Sequence, residues 1–186
     1  MQLYFFEPDP PPADPPAEWL EHPTAIVASV SGGLDSSAVA IEARRRWLDA
    51  PIILWHAYLP QMDWHQSDEQ IGGLAECLGN CRRVSAQAVY ALNGTTTPTG
   101  ANGTTLRRLH VVRDGDAWYG PNQDDDPAAI LTLFDFARKA HNGQPPTSKL
   151  RWCTSYFKSR AADHWLRENR EVLGPRPLLL TGERHA

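Results

Sequence analysis

One stretch of the sequence, AIVASVSGGLDSSAVAIEARRRW (Ala25–Trp47), decides the fold. It begins in an apolar segment, Thr24–Val30, that is short and rich in β-branched residues and therefore predicts a buried strand. It ends in a helical pattern, Ser36–Trp47, with arginines near the carboxyl end, where the helix dipole favours cations. Either Asp35 or Ser36 is expected to cap the first helical turn. Two glycines and several hydroxyl residues lie between strand and helix, which raises the question of what they bind.

Strands and helices alternate along the rest of the chain. Further strands are predicted over Ile52–Tyr58, Arg83–Val89 and Leu178–Thr181, and further helices over Ser67–Leu78, Ala128–His141 and Cys153–Arg170. This alternation predicts an α/β fold with a doubly wound, mainly parallel sheet. An insertion at about residues 91–126 is expected to hold a loop and a hairpin that turns near Asp114–Gly115. Residues 1–23 read as a proline-rich tail, and residues 24–186 as one domain.

Composition limits the class of protein. The chain has 186 residues, 41% of them hydrophobic and 22% charged, as is usual for a soluble globular domain. The net charge of -4 makes nucleic acid an unexpected partner, although a local basic pocket is compatible with it. No apolar run is long enough to span a membrane, and Met1–Leu20, which has no basic start and many prolines, is not expected to be a secretory signal. With three cysteines, an odd number, the sequence predicts a cytoplasmic protein.

The loop between the first strand and helix has the properties of an anion site. Backbone N–H groups point outward at a helix N-terminus, and the helix dipole attracts negative charge. Gly32 and Gly33 allow a tight turn and let a phosphate approach the backbone closely. Three hydroxyl donors accompany them, those of Ser31, Ser36 and Ser37. Asp35 suits either a cap or a Mg²⁺ ion shared with the phosphates.

This loop resembles the PP-loop, S-G-G-x-D-S, of the ATP pyrophosphatase superfamily. The superfamily includes GMP synthetases, asparagine synthetases, tRNA thiolation enzymes and phosphoadenosine phosphosulfate (PAPS) reductases. The loop is neither a Walker A motif nor the dinucleotide fingerprint, because G-K-[ST] and G-x-G-x-x-G are absent. A serine-rich helix cap is the alternative, but caps rarely need two glycines. The resemblance implies an adenine nucleotide alpha hydrolase-like fold that binds ATP, or PAPS or APS, with Mg²⁺.

A second motif, RWCTSYFKSR (Arg151–Arg160), resembles the R-[WY]-C-T-x-x-x-K element of the PAPS reductase family. The final LLLTGERHA resembles that family's next strand and its G-x-R element. The cations Arg151, Lys158 and Arg184 could each hold an anionic group. The resemblance implies that they act with Asp35 as catalytic residues that stabilise charge on the reacting anion. Solvated surface charges are the alternative for any one of them.

Departures from the family pattern shape the expected function. The reductases' E-C-G-[IL]-H cysteine motif is not found, and Leu34 stands where they usually have lysine, which favours the ATP-cleaving branches. The family pattern continues with Glu-Ser beyond the point where this sequence reaches Ala186, so a C-terminally shortened member completed by a protein partner is part of the hypothesis.

The expected activity is that of a nucleotide-dependent transferase, pyrophosphatase or reductase-like enzyme of sulfur metabolism. It would adenylate an unknown acceptor with pyrophosphate release, or transfer sulfur. The alternatives are a non-catalytic or partner-dependent nucleotide-binding module and a tRNA thiolation enzyme.

The cysteines and histidines give weaker signals. Cys77, Cys81 and Cys153 could together hold an iron–sulfur cluster, as in some thiolation enzymes, but three unrelated buried thiols are favoured because their spacing is not C-x-x-C. Cys153 alone is expected at a helix N-terminus beside Arg151, where a thiol pKa falls. His56 lies near the end of the second strand, and Asp63 and His65 follow it. All three are expected to line the pocket, and a metal site there is the lesser alternative. Trp64 is expected to pack, or to stack on a base.

Overall fold

The computed structural model describes residues 17–59, 63–79, 81–92, 106–114, 117–119, 130–131, 133–147 and 153–182 of the 186-residue chain. In chain order the elements are α1 (Ala17–Glu21), β1 (Ala25–Ser29), α2 (Leu34–Arg46), β2 (Ile52–Ala57), α3 (Ser67–Cys77), β3 (Arg82–Leu92), β4 (Leu106–Asp114), β5 (Ala117–Tyr119), β6 (Ile130–Leu131), α4 (Leu133–Ala140), a π-helical turn (Thr154–Ser159), α5 (Arg160–Glu168), α6 (Arg170–Leu173) and β7 (Pro177–Thr181). The α/β class is confirmed. None of the helices in these ranges has the length and apolar character needed to cross a membrane.

The centre of the sheet is parallel. Four strands lie in the order β3-β2-β1-β7, and Ile26 of β1 is aligned with Ile52 of β2 and with Leu178 of β7. Beyond β3 the sheet becomes antiparallel, because β4 pairs with β3 and β5 pairs with β4. The predicted hairpin is therefore confirmed, with Asp114 paired to Ala117.

Helices cover both faces of the parallel strands. Successive strand residues point to opposite faces. On one face, Ile26, Leu54 and the other buried strand residues pack against α2 and α3. On the other face, Val27, Trp55 and Val84 pack against α4, α5 and the π-helical turn. The second face is rich in aromatic residues: Phe136 and Trp165 are fully buried there, and burying each stabilises the fold by about 2–3 kcal/mol. This two-sided cover is compatible with the predicted doubly wound arrangement.

The predicted helix over Ala128–His141 is partly wrong. Residues Ile130 and Leu131 instead form β6, which pairs with Ala91 and Tyr90 of β3. The physical reason lies in the length of β3, which extends past the last residue paired with β2, Ala86. That extension would leave backbone groups unpaired at an edge, and β6 pairs with them.

Two other helices begin differently from the prediction. Helix α2 starts at Leu34, two residues earlier than expected, and its N-cap is Gly33 with no side-chain capping bond, so neither Asp35 nor Ser36 is the cap. The predicted helix from Cys153 opens with the wider π-helical turn and breaks at Asn169 before α6. π-Helical turns are uncommon and occur frequently at functional sites.

Part of the predicted tail folds onto the domain. Residues 17–21 form α1, and the indole N–H of Trp47 donates to the carbonyl of Leu20 at 2.6 Å. Glu18 also pairs with Arg176, next to β7. The proline-rich residues 1–16 lie outside the described residues.

Candidate functional site

The strand order reverses between β1 and β7. From β1 the chain passes to β2 and then to β3 on one side, whereas β7 lies on the other side of β1. At such a switch point the connections diverge from the carboxyl ends of two adjacent strands, which opens a crevice where ligands of α/β sheets bind. The SGGLDSS segment follows β1 at this edge, and Gly182 follows β7.

Gly32 fixes the path of the loop after β1. Its φ of 76° lies in the left-handed region that glycine adopts readily. A Cβ atom there would lie 3.0 Å from Oε1 of Gln70 and 3.2 Å from Cα of Ser67. The glycine therefore lets the loop rest directly on the start of α3.

Gly33 is different, because the fold by itself does not require a glycine at this position. Its φ of -87° and ψ of 161° are ordinary extended values. A Cβ atom would meet only Oγ of Ser31, at 3.5 Å, which is ordinary van der Waals contact. The residue is exposed. The space over its backbone is open to a ligand.

Serine hydroxyls hold the loop together. Oγ of Ser36 accepts a hydrogen bond from the N–H of Ser31 at 3.2 Å and donates to the carbonyl of Gly33 at 3.0 Å. Ser37 donates to the same carbonyl at 2.9 Å. In this conformation Ser36 and Ser37 thus donate their hydroxyl protons to the loop's own backbone, and their role as donors to a ligand stays a prediction.

The end of β7 packs on the start of α2. A Cβ atom at Gly182 would lie 2.9 Å from Cα of Ser36 and 3.0 Å from the carbonyl carbon and oxygen of Asp35. These are backbone atoms that cannot turn aside. The sequence signal for this contact is a glycine directly after an apolar strand, TG at 181–182, and the prediction did not count Gly182 as a site residue.

A cavity of about 940 Å³ opens at this edge, on the face of the sheet that carries α5. The volume lies in the range of ligand pockets, roughly 300–1,000 Å³. Its main polar lining residues are Ser31, Ser36, Thr154, Lys158, Asp163 and Thr181. Its larger apolar lining residues are Val30, Trp55, Pro146, Ala162, Leu166 and Leu179. Of the predicted site residues that the structure describes, Ser31, Ser36 and Lys158 thus meet at one cavity, and Gly32, Gly33, Asp35 and Ser37 lie outside its lining.

Trp55 also lines the cavity, and the sequence analysis did not identify it as a candidate site residue. Its side chain is 3% exposed, and its indole N–H has no hydrogen-bond partner among the described residues. Leaving a buried donor unpaired costs about 1–3 kcal/mol, so native structures usually satisfy such groups. Nothing in the sequence distinguishes Trp55 from the other apolar residues of β2.

Asp63, in the neighbouring loop after β2, pairs with His56 near the end of that strand. Nε2 of His56 lies 3.4 Å from Oδ2 of Asp63, which also accepts the N–H of Leu59 at 2.6 Å. Burial alone raises the pKa of Asp63. The bonds from His56 and Leu59, together with electrostatic interactions with His56 and Lys158, outweigh this effect and hold the pKa of Asp63 below its usual value. This loop is thus electrostatically coupled to the cavity through Lys158, although His56 and Asp63 do not line it.

The other predicted residues have mixed outcomes. Arg151 and Arg184 lie outside the described residues, so their predicted roles stay predictions. His65 and Trp64 are exposed, Trp64 to 80%, so the expectation that Trp64 packs is wrong in this structure. Thr154 does begin a helical segment, as the π-helical turn, and it lines the cavity.

The cysteines do not come together. Cys153 packs on the α5 face and lines the cavity at the carboxyl edge. Cys81 packs on the opposite face, just before β3 begins at the amino edge, and Cys77 is exposed at the end of α3. Burial raises the pKa of the Cys81 thiol despite the nearby charges of Arg44 and Arg83. Within the described part of the chain, no three His, Cys, Asp or Glu side chains are grouped so that they could hold a metal ion.

Comparisons of the chain with models of protein families, with curated proteins and with solved structures gave no match. The function proposed below therefore depends on the site's own geometry and on the motifs in the sequence.

Proposed function

We propose that this protein binds ATP, or a sulfonucleotide such as PAPS or APS, at the switch point between β1 and β7. The single observation that carries the proposal is the position of the SGGLDSS loop. It leaves β1 where the strand order reverses, and it forms part of the wall of a cavity large enough for a nucleotide. On this proposal the sheet is the doubly wound core of an adenine nucleotide alpha hydrolase-like fold, and residues 31–37 are its PP-loop.

The phosphate end of the nucleotide would lie over Gly33. The backbone there is exposed and unobstructed, and it caps the N-terminus of α2, whose dipole favours negative charge. Lys158, on the cavity wall, supplies a cation for the same end. The serine hydroxyls stabilise the loop conformation through their bonds to Ser31 and Gly33.

Asp35 fits a role in holding Mg²⁺. It is exposed in the first turn of α2, beside the loop. Mg²⁺ at nucleotide sites is commonly bound through one or two carboxylates, with phosphate oxygens and water completing the octahedron. A single carboxylate is therefore sufficient, and a three-residue cluster is not needed. The ion would neutralise phosphate charge.

The proposed reaction takes place at the phosphate end. An acceptor oxygen attacks the α-phosphorus, the bond from that phosphorus to the α–β bridging oxygen breaks, and pyrophosphate leaves with the electron pair. The protein would act by positioning and by electrostatic stabilisation, with Lys158 near the developing charge. With a sulfonucleotide, the acceptor would attack the sulfur atom of the sulfate group instead, and the nucleotide phosphate would leave with the electron pair. Arg151 and Arg184 would add charge if they reach the same anion.

Titration calorimetry with Mg-ATP tests the proposal. Gly33→Ala places a methyl group where the phosphate would approach, so we expect affinity to fall by about tenfold or more, equivalent to about 1.4 kcal/mol. Gly73→Ala is the matched control, because Gly73 is exposed in α3 and a Cβ atom there meets nothing within 4 Å. Unchanged affinity in Gly33→Ala would contradict the phosphate site. Asp35→Asn should reduce the dependence of ATP affinity on Mg²⁺ and leave metal-free binding less affected.

A pyrophosphate-release assay separates the enzyme from a non-catalytic nucleotide-binding module. The enzyme predicts release that depends on Lys158, so Lys158→Ala should lower the rate while ATP remains bound. ATP binding without any release, with candidate acceptors present, would favour the module.

A further inference from the structure

Helix α2 carries its large apolar residues on the side that faces solvent. Its buried residues are small, namely Ser36, Ala40 and Ala43. By contrast, Leu34 is 86% exposed and Ile41 46%, and Leu48, just beyond the helix, is 72% exposed. A surface helix normally shows the opposite arrangement, with its large apolar residues toward the core and its polar residues toward water. The core of the domain therefore does not account for these three side chains.

The exposed apolar residues form one continuous row. Leu34, Ile41 and Leu48 are spaced by seven residues, and positions seven apart lie on nearly the same side of an α-helix. Ala38, which is also exposed, lies between Leu34 and Ile41 and is small enough to allow close approach. The carbonyl of Leu48 accepts a hydrogen bond from Arg44 at 3.3 Å, which keeps Leu48 against the last turn. We call these four residues the α2 stripe; it is about 21 Å long at 1.5 Å per residue.

The charges beside the α2 stripe differ between the two ends of the helix. Asp35 lies in the first turn, and Arg45 and Arg46 lie in the last turn, all three of them exposed. Asp35 and Arg46 are eleven residues apart, about three full turns, so they lie on the same flank of the stripe. Glu42, near the middle, pairs with Arg45 of its own chain at 3.2 Å. The helix dipole favours this distribution within one chain, and the distribution is also complementary to a reversed copy of the same helix.

We propose that the α2 stripe binds a second copy of this chain, with the two α2 helices antiparallel about a twofold axis at Ile41. Residues 34 and 48 are equally far from Ile41 in the sequence, so Leu34 of each copy packs on Leu48 of the other, and the two Ile41 side chains meet at the axis. Asp35 of each copy then lies beside Arg45 and Arg46 of the other. Such a contact uses the same surface on both copies, and it closes as a dimer instead of growing into a filament.

The size of the α2 stripe sets the expected strength of the dimer. One helix pair of this length buries less than the roughly 1,200 Å² of total surface that marks the lower limit of standard interfaces. We therefore expect a dimer that dissociates on dilution, with a dissociation constant of about micromolar order. Salt should weaken the dimer further, because the pairs of Asp35 with the arginines lie at its exposed flank.

Sedimentation velocity of the whole chain at a series of concentrations tests the contact. Ile41→Lys places two like charges at the axis, so we expect the dimer dissociation constant to rise about tenfold or more. Val172→Lys is the matched control, because Val172 is also an exposed apolar residue of a helix but lies in α6. It should dimerise like the wild type. A wild type that stays monomeric at every concentration overturns the proposal, and so does Ile41→Lys that dimerises as tightly as the wild type.

Disulfide cross-linking by air oxidation tests the orientation of the helices. Cys77→Ser, which removes the exposed cysteine, serves as the background and should not cross-link by itself. In that background Ile41→Cys should form a covalent dimer, and Leu34→Cys chains should cross-link to Leu48→Cys chains in preference to their own kind. Preferred cross-linking of Leu34→Cys chains with each other would mean parallel helices and would overturn the proposal. A wild type that dimerises while Ile41→Cys gives no cross-link would show that the dimer uses another surface, which overturns it too.

Discussion

The loops after β1 and β2 leave the same edge of the sheet from neighbouring strands, but different interactions hold them. The loop after β1 depends on close backbone contacts at Gly32 and Gly182 and on the hydroxyl of Ser36. The loop after β2 depends on the pair of His56, which is buried, and Asp63, which is partly buried. Steric contacts and neutral hydrogen bonds do not vary with pH, whereas the charged pair does.

The comparison shows how a ligand loop is kept accessible. The loop after β1 is held by close packing of Gly32 on α3 and of Gly182 on the start of α2, and the backbone at Gly33 stays exposed. In the loop after β2, by contrast, the carboxylate of Asp63 is already bound to His56 and to the N–H of Leu59. The difference supports the first loop as the ligand site and the second as its neighbouring support.

Gly182→Ala should have the largest effect. Its Cβ atom would lie 2.9–3.0 Å from the backbone of Asp35 and Ser36, so β7 and α2 must move apart. We expect a loss of about 3 kcal/mol in the free energy of unfolding, measured by urea denaturation. Gly73→Ala, on an exposed helical site, should instead be neutral or slightly stabilising. Similar stability of the two variants would contradict the close approach.

Gly32→Ala should lose about 2 kcal/mol, through left-handed strain and the contact with the start of α3. Gly143→Ala separates the two causes. Gly143 has nearly the same φ, 77° against 76°, but a Cβ atom there meets nothing within 4 Å. It should lose about 1 kcal/mol, from strain alone. Equal losses in the two variants would mean that the contact of Gly32 with α3 adds nothing to the free energy of unfolding.

Asp63→Asn tests the pH dependence of the other loop. The pKa of Asp63 is lowered on folding, so the unfolded chain binds more protons than the folded chain at acid pH. The stabilisation that Asp63 gives the fold is therefore complete above the unfolded pKa near 3.8. It is lost as the pH falls through the lower, folded pKa. We expect the variant to be about 1–2 kcal/mol less stable at pH 6, and the two stability curves to converge as pH falls below about 4. A constant difference down to pH 2 would exclude the charged contribution.

The pair Ser36→Ala and Ser37→Ala gives the smallest effects. Both hydroxyls donate to the carbonyl of Gly33, but only Ser36 is buried and also accepts the N–H of Ser31. Ser36→Ala should cost about 1–2 kcal/mol, because it removes two hydrogen bonds that are partly shielded from water. Ser37→Ala should cost about 0.5 kcal/mol or less, since water replaces its bond. Equal thermal stability of both variants would contradict the role given to Ser36.

Most of the parallel core could be predicted from the sequence. Strand β2 and helix α3 were predicted within one residue at each end, because buried β-branched runs and helical periodicity are local signals. The strand β6 could not, because its reason is the unpaired edge of β3, which no local pattern reveals. Serine at 36 was interpreted as a ligand donor, whereas its hydroxyl donates to the carbonyl of Gly33 three residues back, a local bond that serine commonly makes.

The sequence by itself determined that a glycine- and serine-rich loop joins a buried strand to a helix, and that strands and helices alternate. Those properties follow from backbone freedom and side-chain periodicity within short segments. Only the tertiary structure decided that β7 lies beside β1, that Gly182 contacts Asp35 and Ser36, and that Ser31, Ser36 and Lys158 meet at one cavity. These are contacts between distant parts of the chain, and strand order and burial, not local preference, determine them.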